Sequence, residues 1–104
     1  MLFNKGNLVN QVIDKDDPSY DMKGMICPMF QNLGASDVLF NGLVLKQGEA
    51  YAVNVPTVIL ANKVDIRFVS PTDRKLVVSY VRLIEEIFIA INLSVFVVGI
   101  PINK

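Results

Sequence analysis

The pair Asn41-Gly42, held between the apolar runs Val38-Leu39-Phe40 and Leu43-Val44-Leu45, constrains this chain more than any other feature. Asn and Gly both tolerate positive φ, which a two-residue type I′ turn requires at both central positions, so the stretch predicts a tight β-hairpin. Folding about that turn sets a register. Phe40 faces Leu43, Leu39 faces Val44, Val38 faces Leu45, and Asp37 faces Lys46 as an opposite-charge pair. Each cross-strand pair is worth only ~0.2–1 kcal/mol, enough to select a register but not to hold a fold.

Turn signals continue on both sides of the hairpin. Lys46-Gln47-Gly48-Glu49 predicts a second turn, and Tyr51, Val53 and Val55 then alternate with small or polar residues as in a half-buried strand ending at Pro56. Thr57–Ala61 reads as a connecting strand or bend. Val64, Ile66 and Phe68 alternate with Asp65 and Arg67, and Ser70-Pro71-Thr72-Asp73 forms a turn with proline preset at its second position. From Leu76 to Ile84 apolar residues fall on both sides of a strand. A helix over 76–91 also fits the spacing, but the β-branched content favours a strand that closes a hairpin with Asp65–Val69. Short strands at close spacing with turns between them predict an all-β fold, an antiparallel β-sandwich of jelly-roll or Ig-like type.

The N-terminal part is less regular, which predicts an extended arm and loop over residues 1–29 ahead of a sandwich domain over residues 30–104. Residues 1–13 suit a short strand or an extended arm equally, and Asp14–Asp21, polar and broken by Pro18, reads as a loop. In that loop Tyr20 is the one aromatic expected to be exposed to a partner. Met22, Met25, Ile26, Met29 and Phe30 could line a helix, but Gly24 and Pro28 interrupt it and favour a strand leading into Gln31-Asn32.

Composition narrows the function. With 104 residues the chain makes one domain, and ten basic residues balance ten acidic ones for a net charge of zero. Such a chain has no clustered cations for nucleic acid, and Arg67, Arg74 and Arg82 are the nearest to a group. Apolar residues make up 52% and charged ones only 19%, more than a small monomer buries easily, which predicts work in an assembly. The uncharged run Ile87–Ile102 is shorter than a membrane-spanning helix, contains Asn92, Gly99 and Pro101, and is rich in Ile and Val, so it reads as a strand and not an anchor. Met1–Lys5 lacks the charged start and apolar middle of a secretory signal.

Candidates for chemistry are few. Histidine is absent, so neither a Ser-His-Asp nor a Cys-His arrangement exists. The single cysteine, Cys27, excludes an internal disulfide and a structural zinc site, and between Ile26 and Pro28 it reads as a small buried apolar side chain. Asp14-Lys15-Asp16 opens like a calcium loop, but Ser19 stands where the turn glycine belongs and Met25 where the bidentate glutamate belongs. Gly42 and Gly48 are turn residues without a following Lys-Ser or Lys-Thr. Glu85 and Glu86, adjacent on a strand, would point to opposite faces. No catalytic residue, cofactor or metal is expected, and no enzymatic activity.

The segment Asn32-Leu-Gly-Ala-Ser-Asp-Val-Leu-Phe-Asn-Gly-Leu-Val-Leu-Lys-Gln-Gly-Glu-Ala-Tyr51, followed by the strand Val64-Asp-Ile-Arg-Phe-Val69, resembles small β-sandwich virion structural proteins of tailed phages. Within that group it is most similar to auxiliary capsid, or head decoration, proteins of crass-like phages. The resemblance covers residues 30–84 and implies a non-enzymatic virion component, made in the host cytoplasm, that binds and stabilises the phage head shell. Its partners would be the major capsid protein or other virion proteins, in an oligomeric or repeated arrangement, with no nucleic acid and no membrane. Leu39, Phe40, Leu43 and Val44 of the hairpin and Ile87, Ile89, Phe96 and Val98 of the C-terminal run are the expected partner-binding residues. A head-fibre or adhesion module binding a host surface ligand is the alternative.

Overall fold

A computed structural model describes residues 5–84, which form eight strands and no helix. They are β1 (Gly6–Ile13), β2 (Asp17–Asp21), β3 (Ile26–Asn32), β4 (Val38–Phe40), β5 (Leu43–Leu45), β6 (Ala50–Ala52), β7 (Lys63–Phe68) and β8 (Leu76–Leu83). Two four-stranded antiparallel sheets result, one ordered β1-β8-β3-β6 and the other β2-β7-β4-β5. Only β4 and β5 are both consecutive and paired. The pairs β3–β6, β2–β7 and β1–β8 nest outward around them, as if one long hairpin had been bent at the Asn41-Gly42 turn and rolled into two layers. That nesting is the jelly roll, a β-sandwich topology distinct from the Ig arrangement.

The central turn has the geometry its residues dictate. Asn41 and Gly42 have φ of 49° and 86°, and the pairs Val38–Leu45, Leu39–Val44 and Phe40–Leu43 are those the turn predicts. Gly48, with φ of 87°, supplies the next turn, closed by the Glu49 amide donating to the Lys46 carbonyl at 2.9 Å. Between the layers lies one apolar core. Alternate residues Val64, Ile66 and Phe68 of β7 and Leu76, Val78 and Tyr80 of β8 are buried within it, with Phe30, Val38, Phe40 and Leu45. Aromatic rings run through it in series, Tyr20 on Phe30 at 6.0 Å, Phe30 on Phe40 at 4.5 Å and Phe40 on Tyr51 at 5.1 Å between centroids.

Several local expectations give way to this topology. β7 and β8 are not a hairpin, because they lie in different sheets. Both carry a fully apolar alternate face, and setting these faces opposite each other across the core buries both, whereas a flat pair would need a third layer. The connection from 69 to 75 is accordingly a crossing between layers. Asp17–Asp21, expected as a loop, is edge strand β2, where Pro18 costs no ladder bond because it sits at a register shift between Asp17 and Tyr20. β6 stops at Ala52, and Val55 is exposed where a half-buried strand was expected.

Near the N-terminus, Gly6–Ile13 is a strand paired along its whole length with β8, and the expected division after residue 29 falls within β3. Met22 and Met25 belong to the core. Cys27 is half-exposed with φ of 49°, in contrast to the buried side chain expected. The reason is a bulge between Ile26 and Met29 that turns Pro28 into the interior instead, where its carbonyl accepts from the Val53 amide at 2.9 Å.

Asn32 ties the layers together. It is fully buried, yet its Nδ2 donates to the carbonyls of Ser36 and Leu45 at 2.8 and 2.9 Å, and its Oδ1 accepts from the Gly34 amide at 3.1 Å. Every hydrogen-bonding group of this side chain is thereby used. The β3–β4 connection then lies against the β7–β8 connection. Leu33 and Gly34 amides donate to the Lys75 carbonyl, the Ser36 amide to the Asp73 carbonyl, and the Ser70 amide to Ser36 Oγ at 3.0 Å. A Cβ on Gly34 would strike the Asp73 carbonyl and come within 2.7 Å of the Lys75 nitrogen, so this crossing admits only glycine.

Candidate functional site

Alternation sends one set of side chains inward from each sheet and the other outward, and the two outward sets differ in chemistry. On the β1-β8-β3-β6 sheet the outward residues are Leu8, Asn10 and Val12, then Val77, Ser79 and Val81, then Met29 and Gln31, then Ala50 and Ala52. None of these carries a charge. Leu8 is 73% exposed and Val12 61%, and Val81 and Met29 are exposed as well. Its polar residues are Asn10 and Ser79, neighbours whose side chains join with Ser79 Oγ donating to Asn10 Oδ1 at 2.6 Å, and Gln31 in the next row. On the β2-β7-β4-β5 sheet the outward residues of β7 are Lys63, Asp65 and Arg67, and Arg67 Nε meets Asp65 Oδ1 at 3.1 Å. The first sheet therefore presents an uncharged, largely apolar surface, the usual mark of a macromolecular contact, and the second sets the charges of β7 beside the apolar Leu39 and Val44.

The residues expected to bind a partner are distributed differently. Phe40 is in the core, 3% exposed and stacked between Phe30 and Tyr51, so it supports the hairpin from inside. Leu43 and Val44 are exposed, and Leu39 lies half-buried on the outer face beside Arg67. Ile87, Ile89, Phe96 and Val98 lie outside the described residues. The uncharged sheet face escaped the sequence reading except for one signal, the apolar content of β8 on both its sides.

Tyr20 is half-buried and not free for a partner. Pairing with Val64 in β7 turns its ring inward onto Phe30, and its hydroxyl donates to Gln11 Oε1 at 2.8 Å. Burial, followed by the neighbouring Tyr80 and Asp17, pushes its pKa up to about 12, with Arg82 acting in the opposite direction. The three arginines do not group. Arg67 pairs with Asp65, Arg74 sits 5.4 Å above Phe68, and Arg82 sits 5.5 Å above Tyr80.

The acidic loop turns its carboxylates to backbone. Asp16 Oδ1 accepts from the Phe68 amide at 2.8 Å, Asp17 Oδ1 from Ser19 at 3.0 Å and Asp21 Oδ1 from Lys23 at 2.9 Å. Among the described residues no three acidic or cysteine side chains converge as metal ligands. An opening of about 180 Å³ beside the Asn41-Gly42 hairpin is lined mainly by Met22, Phe40, Leu43, Tyr51, Leu60 and Val64, with Asn41 and Asn62 as its polar lining. It is smaller than ordinary ligand sites and holds no carboxylate, cation or thiol.

No family model matches the chain, and neither the curated proteins nor the solved structures contain a match to it. Among the described residues no helix is long and apolar enough to cross a membrane.

Proposed function

We propose that this chain is a structural virion protein, an auxiliary capsid protein that binds and stabilises a phage head shell through the outer face of its β1-β8-β3-β6 sheet. The observation that carries the reading is that this face is uncharged and largely apolar, with Leu8, Val12, Met29 and Val81 exposed, while the opposite face sets Lys63, Asp65 and Arg67 beside Leu39 and Val44. The jelly roll is a topology that capsid proteins use, along with lectins and cupins, and it adds weight to the reading only as analogy. A chain that binds assembled shell and not free subunits stabilises the shell by mass action, ~2.7 kcal/mol per site at one hundred times the dissociation constant.

The test uses tailed-phage particles that carry the gene for this chain. Mass spectrometry of purified particles is expected to find the chain in many copies per head, and purified chain is expected to co-sediment with heads made without it. Absence from the particles overturns the reading, and binding to host cells in place of heads would assign the chain to a fibre.

A further inference from the structure

We infer that β1 is a docking edge for a second copy of this chain, pairing antiparallel with the β1 of that copy so that the two β1-β8-β3-β6 sheets become one continuous sheet. The inference rests on the sheet edge and holds whether or not the chain belongs to a virion.

A sandwich of two open sheets has four edges, each a row of unpaired amides and carbonyls that must be blunted or used. Three of the four are blunted here. β5 and β6 are three residues each, and β2 carries Pro18, Asp17, Asp21 and a register shift. β1 is different. It runs eight residues, Gly6-Asn-Leu-Val-Asn-Gln-Val-Ile13, with an unbroken register against β8 and with no proline, no charge and no bulge. Among the described residues nothing pairs with its outer side.

The same sequence is suited to meet itself. A two-fold axis perpendicular to the sheet through Asn10 keeps the outward faces of both copies on one side, because residues of equal parity then stand opposite. Asn10 faces Asn10 of the second copy, and Leu8 faces Val12 in each direction. Within β1 no like charges oppose, because none of its eight residues is charged, and the most exposed apolar side chain of the described residues, Leu8, gains an apolar neighbour. Asn10 Oδ1 already accepts from Ser79, which leaves its Nδ2 free to donate across the axis. The product is a sheet ordered β6-β3-β8-β1-β1-β8-β3-β6, whose uncharged outer face is doubled.

Two sets of variants of the full chain test this register. Opposed residues of an antiparallel pair have Cα atoms about 4.5–5.5 Å apart, within the range a disulfide spans. With Cys27→Ser as background, Asn10→Cys is expected to oxidise to a covalent dimer. Leu8→Cys, whose copies would stand about 13 Å apart, is expected to stay uncrosslinked. In light scattering the unmodified chain is expected at twice its 11.6 kDa. Leu8→Lys with Val12→Lys is expected to give monomer with an unchanged circular dichroism spectrum, and Leu8→Lys with Val12→Glu, which sets opposite charges across the pair twice, to restore the dimer. A monomeric unmodified chain, a persistent dimer in the double-lysine variant, or equal crosslinking at positions 8 and 10 overturns the inference, as does a β1 edge covered by the chain's own C-terminal run, which would leave Asn10→Cys uncrosslinked.

Discussion

The two outer faces of the sandwich are built by the same alternation and differ in what the alternation exposes. β7 places Val64, Ile66 and Phe68 inward and Lys63, Asp65 and Arg67 outward, the pattern of a sheet with one wet face. β8 places Leu76, Val78 and Tyr80 inward but Val77, Ser79 and Val81 outward, so the outer side of its sheet carries no charge and is largely apolar. Period two alone tells only that a strand has two faces. The chemistry of the second face tells whether the layer is finished or awaits another.

The largest expected effect removes both faces together. Asn32→Leu leaves the Ser36 and Leu45 carbonyls and the Gly34 amide unpaired in the interior, each at ~1–3 kcal/mol, so it is expected to cost more than ~3 kcal/mol of stability. Urea unfolding reads this directly, and an unchanged midpoint would show that the buried amide does not join the layers.

Matched charges sharpen the contrast between the faces. Val81→Glu on the uncharged face would bury an unpaired carboxylate in the proposed contact, at a cost on the order of 3–5 kcal/mol, and is expected to weaken shell binding more than ~100-fold. Val44→Glu on the other sheet is expected to change it by less than ~3-fold, as rim charges commonly do. If sedimentation with heads ranked the two variants the other way, the hairpin would be the contact surface.

Alkaline titration probes the rim where the two sheets meet. Tyr20 is an acid whose folded-state pKa, about 12, stands above its ordinary value of 10.0, so folding favours the neutral phenol. Its contribution to stability is fully present below pH 10.0 and is lost as pH rises through about 12. Phenolate absorbance is expected to show a late-ionising component from Tyr20, and Tyr20→Phe is expected to remove it; its survival in the variant would assign it elsewhere.

The smallest effect is expected on the wet face. The Asp65–Arg67 pair is solvent-exposed on a single strand, and Asp65→Asn is expected to move stability by less than ~0.5 kcal/mol. A larger loss by thermal unfolding would mean that this face is covered too, and the contrast between the sheets would fail.

The Asn32–Asp37 stretch ahead of the hairpin proves to be structural. Asn32, Gly34 and Ser36 are needed where the β3–β4 and β7–β8 crossings touch, a place joined by residues nearly forty positions apart. Nothing local to 32–37 announces that requirement. The length of the 69–75 connection was the available sign that β7 and β8 do not form a tight hairpin, since two-residue turns are the ones that hold such a pair flat.

By itself the sequence determined the turn at Asn41-Gly42, the register of the strands beside it and the alternation that buries Val64, Ile66 and Phe68, because each depends on backbone freedom or side-chain order among near neighbours. Only the tertiary structure decided which sheet each strand joins, that Tyr20 turns inward, and that among the described residues β1 is left as a long uncharged edge. Those outcomes follow from burying the apolar faces of two sheets against each other, and each sheet is assembled from strands distant in sequence, β1 with β8 in one and β2 with β7 in the other.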